Sequence, residues 1–128
     1  MRAFFFLFLI TPIIVSTAEW NQFRGPNGSG VAANAKPPGK INPAKPTWKV
    51  PAPMGHSSPV FSGGKIFLTG VVEGRPATLA FDAATGKRLW LRRTPEVPLE
   101  RVHQANSHAA PTPVVDVDRL FAYFGSFG

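Results

Sequence analysis

The chain repeats one short pattern at an interval of 54 residues. The pattern begins at Ser58 and again at Thr112. Each copy contains a hydroxyl residue, a proline, two apolar residues, a three-residue turn, a basic residue and an apolar run. A fixed internal period is the sequence signature of repeat architecture, in which each unit buries an apolar face against the next. The repeat therefore predicts at least two similar units stacked in one chain.

Short runs typical of strands follow one another within each unit. They are enriched in Val, Ile, Phe and Thr, and the Gly63-Gly64 pair favours a hairpin turn because glycine accepts positive φ. We expect strands at residues 59–62, 65–72, 77–82 and 87–93 in the first unit, and at 113–115 and 119–124 in the second. Short, evenly spaced strands predict an all-β fold, and the repeat favours a β-propeller of four-stranded antiparallel blades.

The first 18 residues have the organisation of a secretory signal peptide. Arg2 gives a positive start, an apolar run extends to Val15, and Ser16-Thr17-Ala18 places small residues where a signal peptidase cuts. The apolar run is shorter than the about 20 residues needed to cross a membrane. We therefore expect an exported protein, periplasmic or extracellular, without a stable membrane anchor. The chain contains no cysteine, so disulfides cannot stabilise its core.

The segment after the signal peptide is rich in glycine and proline, which predicts irregular structure. Trp20 and Phe23 lie near its start, and we expect both rings to dock on the folded part. Trp48 then lies in a short apolar run between prolines, which predicts an edge strand because proline cannot donate to a sheet ladder. The expected organisation is a signal peptide at 1–18, an irregular segment at 19–45 and a partial propeller at 46–128.

A compact motif lies between the third and fourth predicted strands. Its members are Asp82, Thr85, Gly86 and Trp90. An Asp carboxylate can cap turn amides, a glycine can adopt the backbone angle of a tight turn, and a Trp ring offers a broad apolar surface. These roles are structural. The motif resembles the repeat of the pyrroloquinoline-quinone-type (PQQ-like) β-propellers.

The beginning of the mature chain extends this resemblance. The run from Trp20 to Gly30 is similar to the opening of exported bacterial PQQ-like propeller proteins, and Trp48-Lys49-Val50 follows as it does in that family. A full ring in the family has many more blades than this chain can form. The resemblance therefore implies an N-terminal fragment with about one and a half blades. Its expected parts are a ring-closing strand at 46–51, a blade at 58–93 and a half blade at 111–125.

The long connection between the two units is the candidate binding loop, because long irregular loops within compact domains are usually functional. Its candidate residues are His103, Asn106 and His108. A zinc site at the histidines is the less favoured alternative, since it would need more ligands and no cysteine is available. The sequence has no nucleophile elbow and no phosphate loop. Asp116 and Asp118 fit a turn better than paired acid and base, so we predict no catalytic residue.

The net charge of +7 is scattered, with one dense cluster at Lys87-Arg88 and Arg92-Arg93. A nucleic-acid site would combine a basic stripe with interleaved aromatic residues, so we expect no nucleic-acid partner. The resemblance implies a non-catalytic scaffold that binds a protein, a peptide or a polysaccharide without a cofactor. The alternative that it leaves open is a truncated quinoprotein dehydrogenase, which would hold PQQ and calcium.

Overall fold

The computed structural model describes residues 19–33 and 35–125. Strands form the regular structure of this part, apart from one 3-10 turn at Pro26–Gly28. They are β1 (Val60–Ser62), β2 (Lys65–Val72), β3 (Arg75–Asp82), β4 (Arg88–Arg93), β5 (Val114–Asp116) and β6 (Arg119–Phe121). The predicted all-β class is confirmed. The signal peptide expected at residues 1–18 lies outside the described residues, and no helix within them is long and apolar enough to cross a membrane.

The first four strands form one antiparallel sheet in chain order. Two-residue turns with positive φ join its first three strands, at Gly63-Gly64 and at Glu73-Gly74. Turns of this kind match the right-handed twist of the strands that they connect. The longer connection between β3 and β4 contains Gly86 at a φ of 72° and is followed by a β-bulge. Local turn chemistry thus explains why these strands lie close to their predicted positions.

The last two strands form a separate antiparallel pair. In its register Val114 faces Phe121, and in the first hairpin Val60 faces Phe67. The two pairs are offset by 54 residues, so the sequence repeat is also a repeat of strand pairing. β6 ends at Phe121, three residues before the predicted end.

An apolar cluster joins the second hairpin to one face of the first sheet. Val60, Phe67 and Ala80 pack against Val115 of β5. The partly buried side chains at the margin of this cluster are Trp90 and Leu120. Full burial of a side chain such as Val60 contributes about 1.5–3 kcal/mol. The two hairpins are therefore stacked face to face and held by apolar contact.

The opposite face of the first sheet carries a second cluster, formed by Ala77, Leu79 and Phe81. Val50 packs on this cluster from the segment in which we predicted an edge strand. The structure corrects that prediction: residues 46–51 contain no strand. The flanking prolines leave few donors for a ladder, and the segment gains its apolar contacts from the face of the sheet instead of its edge.

The two N-terminal aromatic residues differ in their contacts. Trp20 forms an antiparallel bridge with Phe61 through N–H···O bonds of 2.9 Å in both directions. Phe23, for which we also expected docking, is 60% exposed. It lies in the turn closed by the Gly25 N–H and the Gln22 carbonyl at 2.9 Å. Only the tryptophan is therefore part of the sheet structure.

Candidate functional site

A polar network at Thr69 of β2 ties the two repeats together. The Thr69 residue is 1% exposed. Its hydroxyl lies 3.2 Å from the carbonyl oxygen of Ala109 and 3.0 Å from that of Pro111. A threonine hydroxyl has a single proton to donate, so the two carbonyls share it. The end of the long connection is thereby fixed to the middle of the first sheet.

The two serines that open the first repeat belong to the same network. Ser57 Oγ accepts the Thr69 N–H at 3.0 Å and donates to the Thr69 carbonyl at 3.1 Å. This side chain therefore takes the place of the backbone pairing that a strand residue would supply. The Ser58 N–H donates to Thr112 Oγ1 at 2.9 Å. The corresponding hydroxyl residues of the two repeats are thus in direct contact.

Asp82 and Thr85 form a compact turn at the end of β3. Asp82 Oδ1 accepts the Thr85 hydroxyl at 2.7 Å and the Thr85 N–H at 2.8 Å. The hydroxyl first, and then the backbone amide, hold the pKa of the Asp82 carboxyl below its ordinary value, because both stabilise the charged form. Thr85 Oγ1 in turn accepts the Lys87 N–H at 3.2 Å. In this arrangement the carboxylate stabilises a turn.

The other two motif residues contact aromatic rings. Gly86 lies beneath the ring of Trp48, so close that an added Cβ would stand 2.6 Å from Trp48 Cε3. The Trp48 indole Nε1 donates to the Ala83 carbonyl at 2.9 Å. Trp90 lies in the cluster that faces the second hairpin, with its ring centroid 5.9 Å from that of Phe67. The motif thus connects the first sheet with both of its neighbouring segments.

The structure separates the three candidate residues of the binding loop. Asn106 and His108 line a shallow cavity of about 150 Å³, together with Glu100 and Tyr123. His108 Nε2 lies 2.8 Å from the Glu100 carbonyl oxygen. His103 does not line the cavity. Its Nδ1 accepts a backbone N–H two residues later at 3.2 Å, so this imidazole caps its own turn.

Two residues that sequence analysis did not connect with the loop also contact it. Tyr123 lines the cavity, and His56 Nδ1 lies 3.0 Å from Ser107 Oγ. Tyr123 is the counterpart of Thr69 at the 54-residue offset. That offset was therefore the available signal, because Thr69 itself binds the end of the loop. The contact of His56 joins positions 51 residues apart and has no local signature.

A larger cleft of about 240 Å³ opens between the first sheet and the second hairpin. Phe67 and Trp90 supply aromatic surface to it, and Lys65, Asp118 and Arg119 bring charged groups. Because the lining comes from both repeats, no single sequence motif indicates this cleft.

No group of three or more His, Asp or Glu side chains comes together as a metal site in residues 19–33 and 35–125. The candidate functional surfaces are thus the loop cavity with Asn106, His108 and Tyr123, and the cleft between the repeats. Comparisons of the chain with protein-family models, with curated proteins and with solved structures found no match.

Proposed function

We propose that the chain is part of an exported β-propeller of the PQQ-like type and acts as a non-catalytic scaffold that binds a protein, a peptide or a polysaccharide. The observation that carries this proposal is the shared register of the two hairpins, Val60 with Phe67 and Val114 with Phe121. Propeller blades are four-stranded sheets repeated around an axis. The first sheet would be one blade, and β5 with β6 would begin the next.

The contacts between the repeats support this arrangement. Val115 packs on the face that carries Val60 and Phe67, and the two sheets share no ladder. The first residues of the two repeats, Ser58 and Thr112, are joined by a hydrogen bond of 2.9 Å. Blades stacked around a ring would bring the starts of their first strands together in this way.

The position of the Trp48 segment supports a blade on the opposite side. Val50 packs on the face of the first sheet, and Trp48 covers Gly86. A segment of the last blade of a ring would lie against the face of the first blade, and it would become a strand only on pairing with strands of its own blade. We therefore assign the ring-closing role to residues 46–51.

The binding role is assigned to the loop cavity. Asn106, His108 and Tyr123 bring amide, imidazole and phenol groups to this cavity. Such groups donate and accept hydrogen bonds with peptides and sugars. Loops positioned by a rigid scaffold commonly carry binding residues. The proposed function needs no cofactor.

A ligand titration that is monitored by NMR tests the binding role. We expect at least one member of a panel of short peptides and oligosaccharides to cause saturable shifts at the amides of Asn106, His108 and Tyr123. Tyr123→Ala should weaken this binding, since it removes one wall of the cavity. Phe23→Ala, at an exposed aromatic residue outside the cavity lining, is the matched control. If no member of the panel causes a saturable shift at these amides, the binding role of the loop cavity is contradicted.

PQQ and calcium test the dehydrogenase alternative. A quinoprotein dehydrogenase would bind both groups, whereas a non-catalytic scaffold has no use for them. We expect the melting temperature of the purified chain to stay unchanged when PQQ and calcium are added together. Saturable binding of PQQ would overturn the non-catalytic proposal and favour the dehydrogenase.

A further inference from the structure

The second hairpin has an apolar face that points away from the first sheet and that no other part of the described chain covers. Val114 is 37% exposed, Phe121 is 53% exposed and Tyr123 is 59% exposed. Val114 and Phe121 are register partners, and all three side chains line one concave surface. We call these three residues the outer face.

The repeat indicates what kind of surface fits the outer face. Its counterparts in the first hairpin, Val60 and Phe67, are only 1% and 8% exposed. They are buried because Val115 and Leu120 of the following hairpin lie against them. Since the outer face has the same register and similar side chains, it fits a hairpin surface that is equivalent to Val115 and Leu120.

The first hairpin carries such a surface. Phe61 and Ile66 are the counterparts of Val115 and Leu120 at the 54-residue offset, and they also form a register pair. Both residues are half-buried. Alternation along the strands places them on the side of the sheet opposite Val60. We call this pair the receiving face. The two faces of one chain cannot meet, because the second hairpin lies on the other side of the first sheet.

We propose that the chain associates with a second copy of itself, head to tail, with the outer face of one copy on the receiving face of the other. This contact would repeat between chains the interface that the two hairpins form within one chain. It is heterologous, so an open assembly keeps one unused outer face at one end and one unused receiving face at the other. The proposal rests on the repeated register of Val114 and Phe121. Tyr123 also lines the loop cavity, so a ligand in this cavity would compete with the second copy for its side chain.

Edge charges oppose pairing of two copies along the β4 edge of the first sheet. β4 is the outer edge strand of the first sheet, and Arg88, Arg92 and Arg93 are exposed along it. Like charges on an edge strand oppose pairing with the edge of another copy. The outer face has no charged member, so apolar burial can stabilise its contact.

Sedimentation velocity over a range of protein concentrations tests the proposal. We expect the mean mass of the wild-type chain to rise with concentration. Phe121→Glu should raise the apparent dissociation constant at least about tenfold. The contact would remove the hydration water of the introduced carboxylate, which is unfavourable. Ile41→Glu, at an apolar residue that is 80% exposed and belongs to neither face, should leave association unchanged. A wild-type chain that stays monomeric up to about 1 mM overturns the proposal.

Mixing experiments distinguish head-to-tail contact from other self-association. The Phe121→Glu chain keeps its receiving face, so it should cap wild-type assemblies and lower their mean mass. Ile66→Glu keeps the outer face, and an equimolar mixture with Phe121→Glu should form dimers although each variant alone stays monomeric. The proposal is overturned if the addition of Phe121→Glu does not reduce the mean mass of the wild-type assemblies. The capping experiment decides the question even where Ile66→Glu fails to fold.

Discussion

Asp82 shows how an exposed carboxylate can hold a turn. Its Oδ1 accepts both the hydroxyl and the amide of Thr85, and these bonds favour the charged form. The pKa of Asp82 in the folded chain is therefore lower than its ordinary value. The resulting stability is present above the ordinary carboxyl pKa and is lost as the pH falls through the lowered, folded pKa.

Removing the Thr85 hydroxyl should raise the pKa of Asp82 toward its ordinary value, because the hydroxyl is the largest cause of the lowering. Thr85→Ala should also reduce the part of the stability that acid removes. An NMR titration of the Asp82 carboxyl measures the first effect, and unfolding at several acidic pH values measures the second. Ser29→Ala removes a hydroxyl from another exposed turn and should change neither. An unaltered Asp82 pKa in Thr85→Ala would contradict this explanation of the turn.

Substitutions at two glycines with similar φ values distinguish the stability cost of backbone strain from that of steric contact. Gly86 and Gly74 have φ values of 72° and 74°, but an added Cβ meets Trp48 only at Gly86 and nothing within 4 Å at Gly74. Gly74→Ala should lower the free energy of unfolding by about 1–2 kcal/mol, the cost of a left-handed conformation in other residues. Gly86→Ala should lower it further and shift tryptophan emission, because Trp48 must move. Equal losses with unchanged emission in chemical denaturation would refute the Trp48 contact.

At the scale of elements, local sequence determined the hairpins most reliably. Gly63-Gly64 requires no distant contact to form a two-residue turn, and β2 has the bounds that its composition predicts. β6 is shorter than predicted because its partner β5 is itself short. Pro113 precedes β5 and has no N–H to continue the ladder, so pairing stops at Phe121.

Elements that depend on distant contacts were not predictable in the same way. The apolar run with Trp48 and Val50 indicated burial, but its pattern does not distinguish the face of a sheet from its edge. The loop residues gave a similar result. The residue types of the loop candidates indicated polar contacts. They did not indicate that His108 would line the cavity or that His103 would cap its own turn. Such choices follow from the packing of the two repeats, which no single segment specifies.

Thr69→Val tests the link between β2 and the long connection. The substitution keeps the shape of the side chain but removes the hydroxyl that donates to the carbonyls of Ala109 and Pro111. The Ala109 carbonyl then keeps only its bond from the His56 N–H. It should lower the free energy of unfolding by about 1–3 kcal/mol. Hydrogen exchange at the His56 N–H, which donates to the Ala109 carbonyl at 3.1 Å, should become faster. Thr78→Val removes a buried hydroxyl from the register partner of Thr69 on β3 and is the control for the loss of a buried hydroxyl. Equal effects of both variants would show that the Thr69 hydroxyl does not hold the connection.

At the scale of the whole molecule, the start of the chain joins the two sheets. Trp20 pairs with Phe61 of β1. The neighbouring Asn21 accepts the Val115 N–H at 2.8 Å through its backbone carbonyl, and its side-chain amide donates to the Val115 carbonyl at 2.9 Å. One short segment thus bonds to both repeats. The stacking of the hairpins therefore rests on backbone pairing as well as on apolar burial.

The apolar contact between the repeats is also the basis of the proposed propeller and of the proposed self-association. Both proposals extend one observed interface, in which Val115 covers Val60 and Phe67. In a longer ring the next blade would cover the outer face, and in an assembly of this chain a second copy would cover the same face. Both therefore depend on whether the two hairpins stack in solution.

The contact between Val60 and Val115 tests this stacking most directly. A dilute sample with isotope-labelled valine methyl groups keeps the measurement within one chain. We expect a nuclear Overhauser cross-peak between the methyl groups of Val60 and Val115, since both belong to one buried cluster. We also expect slow exchange of the Val115 N–H that bonds to Asn21. A missing cross-peak in a chain whose two hairpins are both folded would contradict the stacked repeats and both proposals that extend them.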